Sequence, residues 1–85
     1  MINVSNDVYN DGAAITPSDT VNETNPFDAI HVGSIAGGAA IVVVFEHGET
    51  VTLAGCLAGH VYRVHGIRVN STSTTASSLV GLRFK

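Results

Sequence analysis

Four histidines and a single cysteine carry the side chains that could bind a metal ion or activate a nucleophile. His60 and His65 are five positions apart, so in a regular strand they lie on opposite faces. His47 falls in a predicted turn, and His31 is distant in the sequence. No Cys/His spacing matches a structural zinc site. The sequence therefore predicts neither a metal site nor a cofactor.

Nucleophilic catalysis has no evident residue set in this chain. Cys56 lies between Gly55 and Leu57, and no neighbouring cation in the sequence would lower the pKa of its thiol. We interpret it as a small buried residue of a turn. The sequence contains no Gly-x-Ser-x-Gly motif, and residues 33–38 fit neither a dinucleotide-binding nor a phosphate-binding loop. We expect a protein that is not an enzyme and has no catalytic residue.

The composition describes one small domain that gains from partner subunits. A chain of 85 residues builds a core that supplies only a few kcal/mol, and such folds are commonly helped by disulfides, metals or oligomerisation. An intrachain disulfide is excluded because Cys56 is the only cysteine. Charged residues make up 13% of the chain, against about 25% in typical soluble domains. Self-association is therefore expected.

Charge and hydropathy argue against two other kinds of partner. The net charge is −3, and the four basic residues are not adjacent, whereas nucleic-acid binding needs clustered Lys and Arg. The longest apolar stretch, residues 39–45, is far shorter than the ~20 residues of a membrane-spanning helix. The N-terminal residues do not resemble a secretion signal. We expect no nucleic-acid partner and no membrane partner.

The elements that would position these residues are predicted to be strands. Residues 1–26 are polar and lack a sustained apolar period, which predicts an extended N-terminal arm, either a disordered tail or an arm that orders on a neighbouring subunit. The rest of the chain, residues 27–85, predicts an all-β module, a small β-sandwich or barrel of about five antiparallel strands. A two-residue hairpin turn is expected at His47 and Gly48, between Glu46 and Glu49, and a β-bulge at Gly66. The predicted strands are 27–32, 39–45, 50–53, 60–70 and 79–84.

Several segments resemble a known family of virion proteins. They are ITPSDT (residues 15–20), FDAIHVG (residues 27–33), RVNST (residues 68–72) and LVGL (residues 79–82). Together they are similar to the spike-base proteins on the heads of tailed phages and on gene-transfer-agent particles. The resemblance extends from about residue 15 to residue 84. It implies an oligomeric β module on the capsid surface of a virion, made in the host cytoplasm.

The resemblance also implies a function and a set of partners. The chain would be a structural protein of a bacteriophage virion, acting either as a capsid decoration or cement protein or as the base of a vertex spike. Its partners would be copies of itself in a homotrimer or homopentamer, the major capsid protein and a head fibre protein. The alternative is a receptor- or glycan-binding β module of a tail or fibre, although the chain has no Trp and only scattered aromatic residues.

The candidate interface residues lie in the arm, at its junction with the module, and among the basic residues of the module. Those proposed to dock the arm are Ile15, Pro17, Asp19 and Phe27. Those proposed to form salt bridges with a neighbouring subunit or the capsid are Arg63, Arg68 and Arg83. The other interpretation of these arginines is that they are solvated charges at strand edges, where they discourage aggregation.

Overall fold

The structure is a computed structural model that describes residues 9–84, and these residues form two antiparallel sheets. Its strands are β1 (Asp11–Ala14), β2 (Ala29–Ser34), β3 (Ile41–Phe45), β4 (Thr50–Leu53), β5 (Val61–Tyr62), β6 (Gly66–Val69) and β7 (Ser77–Arg83). The first sheet has the order β1-β7-β2-β5 and the second the order β4-β3-β6. The predicted all-β fold is confirmed. Within residues 9–84 no helix is long and apolar enough to cross a membrane.

The core lies between the two sheets. Ile30 and Val32 of β2 face Ile41 and Val43 of β3, and all four side chains are completely buried. Val69 of β6 completes this layer. Burial of each such side chain contributes about 1.5–3 kcal/mol relative to leaving it exposed. The β-branched composition of β3 matches its place as the central strand of its sheet.

The chain has more strands than its sequence predicts. β1 lies in the polar N-terminal segment and forms because it pairs with β7, from Asp11 opposite Arg83 to Ala14 opposite Val80. The predicted strand 60–70 divides into β5 and β6, which belong to different sheets. The chain changes sheets over residues 63–65.

A bulge follows this change of sheet. Val44 of β3 pairs with Arg68, and Phe45 pairs with Gly66, so Ile67 is the extra residue of β6. The predicted β-bulge is therefore confirmed, although the extra residue is Ile67 rather than Gly66. Gly66 itself must lack a side chain, because a Cβ atom there would lie 2.7 Å from Phe27 Cζ.

The predicted hairpin between β3 and β4 is confirmed, but its loop consists of three residues, 46–48, rather than the predicted two. Gly48 has a φ of +96°, a left-handed conformation that favours glycine. The Phe45 amide donates to the Glu49 carbonyl at 2.8 Å, and the Gly48 amide donates to the Phe45 carbonyl at 2.9 Å. This turn fixes the register of β4 on β3, with Val43 opposite Val51.

Residues 15–26 run along the side of the sandwich that contains β1 and β6. The Ser18 amide donates to the Val69 carbonyl at 2.8 Å, and the Glu23 amide donates to the Ile67 carbonyl at 2.7 Å. The segment therefore covers the outer edge of β6 and connects the two sheets within one chain. Residues 1–8 of the predicted arm, and Lys85, lie outside the described residues.

Candidate assembly interface

Ile15 and Phe27, both predicted to dock the arm, lie in the core of their own chain. Ile15 is 7% exposed and Phe27 is 1% exposed. The Phe27 amide donates to the Gly66 carbonyl at 2.9 Å, and the Gly66 amide donates to the Phe27 carbonyl at 3.0 Å. These side chains would reach a neighbouring subunit only if the segment exchanged between subunits. Their assignment to an interface stays a prediction.

Asp19 joins the two most distinctive segments of the sequence. Its Oδ1 accepts a hydrogen bond from the Thr72 amide at 2.9 Å, and its Oδ2 accepts one from the Thr72 hydroxyl at 2.5 Å. Bonds from the Thr72 hydroxyl and then the Thr72 amide hold the pKa of Asp19 below its ordinary value. Pro17, two positions earlier, is half-buried. The PSDT and RVNST segments therefore contact each other inside the chain.

Arg68 and Arg83 hold the N-terminal segment against the strands. Arg68 donates from Nε to Asn70 Oδ1 and from Nη1 to Asn22 Oδ1, each at 3.0 Å. Arg83 forms a two-pronged ion pair with Asp11, with both Nε and Nη2 lying 2.7 Å from Oδ2. Both guanidinium groups are engaged within the chain. A further bond to a neighbouring subunit stays a prediction for each of them.

Arg63 differs from the other two predicted arginines. It is exposed, and its guanidinium carbon lies 6.0 Å from the centroid of the Tyr9 ring. That ring stacks on Phe84 with a centroid distance of 4.5 Å. Within residues 9–84, Arg63 forms no ion pair with an acid. Of the three arginines it is therefore the one whose charge is most available to a partner.

A polar cluster closes one end of the molecule. His65 Nδ1 lies 2.9 Å from Asp28 Oδ1, and His65 Nε2 lies 3.3 Å from Glu46 Oε1. The other oxygen of Asp28 accepts the Phe84 amide at 3.0 Å. This bond, followed by the one from His65, holds the pKa of Asp28 below its ordinary value. In the described part of the chain, no group of three or more His, Cys, Asp or Glu side chains is arranged to hold a metal ion.

Cys56 is buried, as the sequence predicts, but it lies in the irregular segment between β4 and β5, before the turn at Ala58 and Gly59. It is 2% exposed, and its thiol contacts the Leu53 carbonyl at 3.6 Å. Burial raises the pKa of this thiol, which keeps it protonated near neutral pH. A protonated, buried thiol is a poor nucleophile.

Exposed apolar side chains occur on the side of the sandwich that contains β4 and β5. Val51 is 40% exposed, Leu57 is 53% exposed and Val61 is 43% exposed. Val51 is the register partner of the buried Val43, so it points inward and is nevertheless partly open to solvent. The sandwich therefore does not close over β4. Sequence analysis missed these residues, although the uncharged alternation of Thr50–Leu53 was a signal for an exposed edge strand.

The opposite side, which contains β1 and β6, carries an open cleft. Its volume is about 510 Å³, and its lining includes Ala14, Pro17 and Val21. Val21 is 66% exposed. Each of the two sides of the sandwich thus exposes apolar side chains, namely Val51, Leu57 and Val61 on one side and Val21 beside a cleft of mixed polarity on the other.

Comparison with known proteins gives one strong similarity. Neither protein-family models nor curated proteins give a match to this sequence. Among solved structures, the chain is similar to a chain of a structure described as the "Capsid of native GTA particle computed with C5 symmetry", where GTA denotes a gene transfer agent. The two chains are 33% identical over 95% of this chain and 92% of that chain, with a TM-score of 0.78. This chain therefore belongs to the family of phage and gene-transfer-agent head proteins that includes that capsid chain.

Proposed function

We propose that this chain is a virion structural protein that sits on the outer surface of a phage or gene-transfer-agent head as a homo-oligomer. The observation that carries the proposal is the 33% identity to a capsid chain over 95% of this chain. In such a protein, the function is the geometry of the assembled subunits rather than a reaction. The proposed location is the capsid surface of the particle.

The base of a vertex spike is the role we favour over a cement protein at three-fold positions. The structure that contains the relative is a capsid computed with C5 symmetry, so the particle has a five-fold axis that a spike base could occupy. A ring of five small sandwiches suits such an axis. Its partners would be the major capsid protein below and a head fibre protein above.

The surface of the chain supports a role in assembly. Only 13% of its residues are charged, and Arg68 and Arg83 are already bonded within the chain. Large exposed apolar side chains remain on the sides of the sandwich. Obligate interfaces between subunits are richer in apolar residues and poorer in charge than ordinary surfaces.

Particle purification tests the proposed function. Particles from cells that produce the chain are separated on a density gradient, and the chain is quantified by mass spectrometry against the major capsid protein. We expect the chain to move with full heads at a constant ratio. Recovery only in the unassembled protein fraction would contradict the proposal. Saturable binding of the oligomer on a glycan array, without binding to heads, would favour the receptor-binding alternative.

A further inference from the structure

We propose that neighbouring copies of this chain join edge to edge, with β4 of one copy adding to β1 of the next. This inference rests on the homo-oligomer of the proposed function and specifies which strands of neighbouring subunits are in contact. Strand addition of this kind gains affinity from main-chain hydrogen bonds and specificity from alternate side chains. It would extend the sheets of the sandwich from one subunit into the next.

The outer edge of β4 presents unpaired main-chain groups. The Phe45 amide bonds to the Glu49 carbonyl, so Phe45 and Glu49 form a hydrogen-bonded pair of the antiparallel β3–β4 ladder. Such pairs recur at every second residue, which makes Val43 and Val51 the next one. The amides and carbonyls of Thr50 and Thr52 therefore point away from β3. No main-chain partner for them occurs within residues 9–84. Thr50 and Thr52 are exposed and uncharged.

Within residues 9–84, two residues of β1 show the same pattern on its outer edge. The Ile15 amide bonds to the Leu79 carbonyl at 2.9 Å, which makes position 13 the next hydrogen-bonded position of the β1–β7 pair. The main-chain groups of Gly12 and Ala14 therefore point away from β7. Both residues are exposed, and their small side chains allow a neighbouring backbone to approach closely.

The other two sheet edges offer less to a neighbouring strand. The edge of β6 is already occupied by residues 18–23, whose amides bond to its carbonyls. The edge strand β5 consists of only two residues, Val61 and Tyr62. Long uncharged edges are the ones that invite pairing with another chain. Among the described residues, the outward positions of β1 at Gly12 and Ala14 and of β4 at Thr50 and Thr52 are the uncharged edge positions that remain.

The two edges are placed for a ring. Residues 15–26 connect β1 to the edge of β6, whereas residues 54–60 connect β4 to β5, so β1 and β4 lie on opposite sides of the sandwich. A contact between two different surfaces repeats from subunit to subunit and forms a ring when its rotation closes, whereas a contact between identical surfaces stops at a dimer. A β4–β1 contact is of the repeating kind.

Exposed apolar side chains lie beside both edges. On the β4 side, Leu57 is 53% exposed and the inward-pointing Val51 is 40% exposed. The cleft beside β1 is lined in part by Ala14, Pro17 and Val21. When β4 adds to the next copy's β1, these exposed side chains come to the side of the neighbour that holds the cleft, and apolar surface left exposed in the monomer is buried.

Proline substitutions test the contact with little disturbance to each subunit. Thr52→Pro and Ala14→Pro each remove an outward-pointing amide and place a ring on the free edge, while the bonds to β3 or β7 stay intact. Thr52→Val and Ala14→Ser keep the amide and are the matched controls. By native mass spectrometry and light scattering, we expect both proline variants to be folded monomers and both controls to assemble as the wild type does.

Mixing the two proline variants identifies which edges meet. Thr52→Pro keeps a functional β1, and Ala14→Pro keeps a functional β4, so the mixture should form a one-to-one dimer and nothing larger. If Ala14→Pro still dimerised alone, the contact would be β4 to β4 and the proposal would be wrong. If both proline variants assembled like the wild type, the edges would not be used, although the proposed head function would stand.

A side-chain variant keeps the test decisive if a proline variant does not fold. Leu57→Asp leaves every main-chain bond in place and should weaken association at least about tenfold, whereas Leu57→Met should not. Unchanged association of Leu57→Asp would overturn the inference. A wild-type protein that stayed monomeric at high concentration, and on heads, would contradict both the inference and the homo-oligomeric proposal.

Discussion

At the scale of single residues, hydrogen bonds to Asp19 connect two segments that are far apart in the sequence. Its carboxylate accepts two bonds from Thr72, a residue 53 positions away. The sequence marked Asp19 as important through the PSDT segment, but it could not identify the partner. A hydrogen bond between distant residues depends on the folded topology, and no local spacing encodes it.

Replacement of Asp19 by Asn should lower stability and alter its dependence on pH. The pKa of Asp19 is lowered on folding from an ordinary value of 3.8. Its contribution is therefore present above about pH 4 and is lost as pH falls through the lower pKa of the folded state. We expect Asp19→Asn to have a lower Tm than the wild type at pH 7, with the difference shrinking toward pH 3.

Thermal unfolding monitored by circular dichroism between about pH 3 and pH 7 measures this effect. Glu49→Gln is the control. It removes an exposed carboxylate of the β3–β4 hairpin, and the bond that Glu49 accepts from the Phe45 amide uses its main-chain carbonyl rather than that carboxylate. A constant difference in Tm between Asp19→Asn and the wild type at every pH would contradict a stabilising role for the ionised Asp19 carboxylate.

Gly66 is a second residue with a specific steric role. A Cβ atom at this position would lie 2.7 Å from Phe27 Cζ and 2.8 Å from Val43 Cγ1. Both neighbours belong to the rigid core, so neither can move away easily. We expect Gly66→Ala to lower the free energy of unfolding by about 1–3 kcal/mol, measured by urea denaturation.

Two further variants separate packing from backbone effects at Gly66. Gly59 has a φ of +80° but open space around it, so Gly59→Ala reports the cost of backbone strain alone. Phe27→Leu removes ring atoms that a methyl group at position 66 would meet. The double variant, Phe27→Leu with Gly66→Ala, should therefore lose less stability than the sum of the single losses. Strict additivity would show that the two positions do not compete for space.

At the scale of elements, local patterning predicted the β3–β4 hairpin well and the N-terminal segment poorly. β3 is a run of β-branched residues, β4 alternates, and Gly48 supplies the left-handed turn. β1 has no apolar period of its own. It is a strand because β7 offers it a paired edge, which is a tertiary effect that overrides weak local propensity.

The strand β7 shows a related limit of sequence patterns. Val80, Leu82 and Phe84 share one phase, but Leu79 and Gly81 are the positions buried against the core. β7 lies between β1 and β2 and carries apolar residues on both faces. A strand of this kind has no polar face to indicate its orientation.

Amide hydrogen exchange tests the placement of residues 15–26 as an element bonded to its own chain. The Ser18 and Glu23 amides bond to carbonyls of β6, whereas Thr24 has no acceptor among residues 9–84. We expect slow exchange at Ser18 and Glu23 and fast exchange at Thr24 in the unassembled protein. Fast exchange at all three amides would mean that the segment leaves β6 when the protein is free.

At the scale of the whole molecule, the candidate interface was predicted only in part. The sequence proposed Arg63 for a salt bridge with a neighbouring subunit or the capsid, which stays a prediction, and the structure shows Arg63 exposed and without an ion pair to an acid within residues 9–84. It did not identify Val51, Leu57 and Val61, because their exposure depends on which side of the sandwich stays open. That property emerges only when both sheets and the covering segment are in place.

The monomer has few charged residues and exposes sheet edges on two sides of the sandwich, as a subunit of a larger assembly would. One side has the exposed edge of β4, and the other has the edge of β1 beside a cleft of about 510 Å³. Small domains gain stability by burying such surfaces against further copies. The similarity to a chain of a gene-transfer-agent capsid indicates a virion as the setting of this chain.

Cryo-electron microscopy of heads with and without this chain is the most direct test of a role on the virion surface. Particles are prepared from producing cells and from the same cells with the coding sequence deleted, and the head maps are compared at equal resolution. We expect density that fits a ring of these sandwiches on the outer surface of the wild-type head, absent after deletion and restored when the purified protein is added. Identical head maps, or a loss of density confined to the tail, would contradict that role.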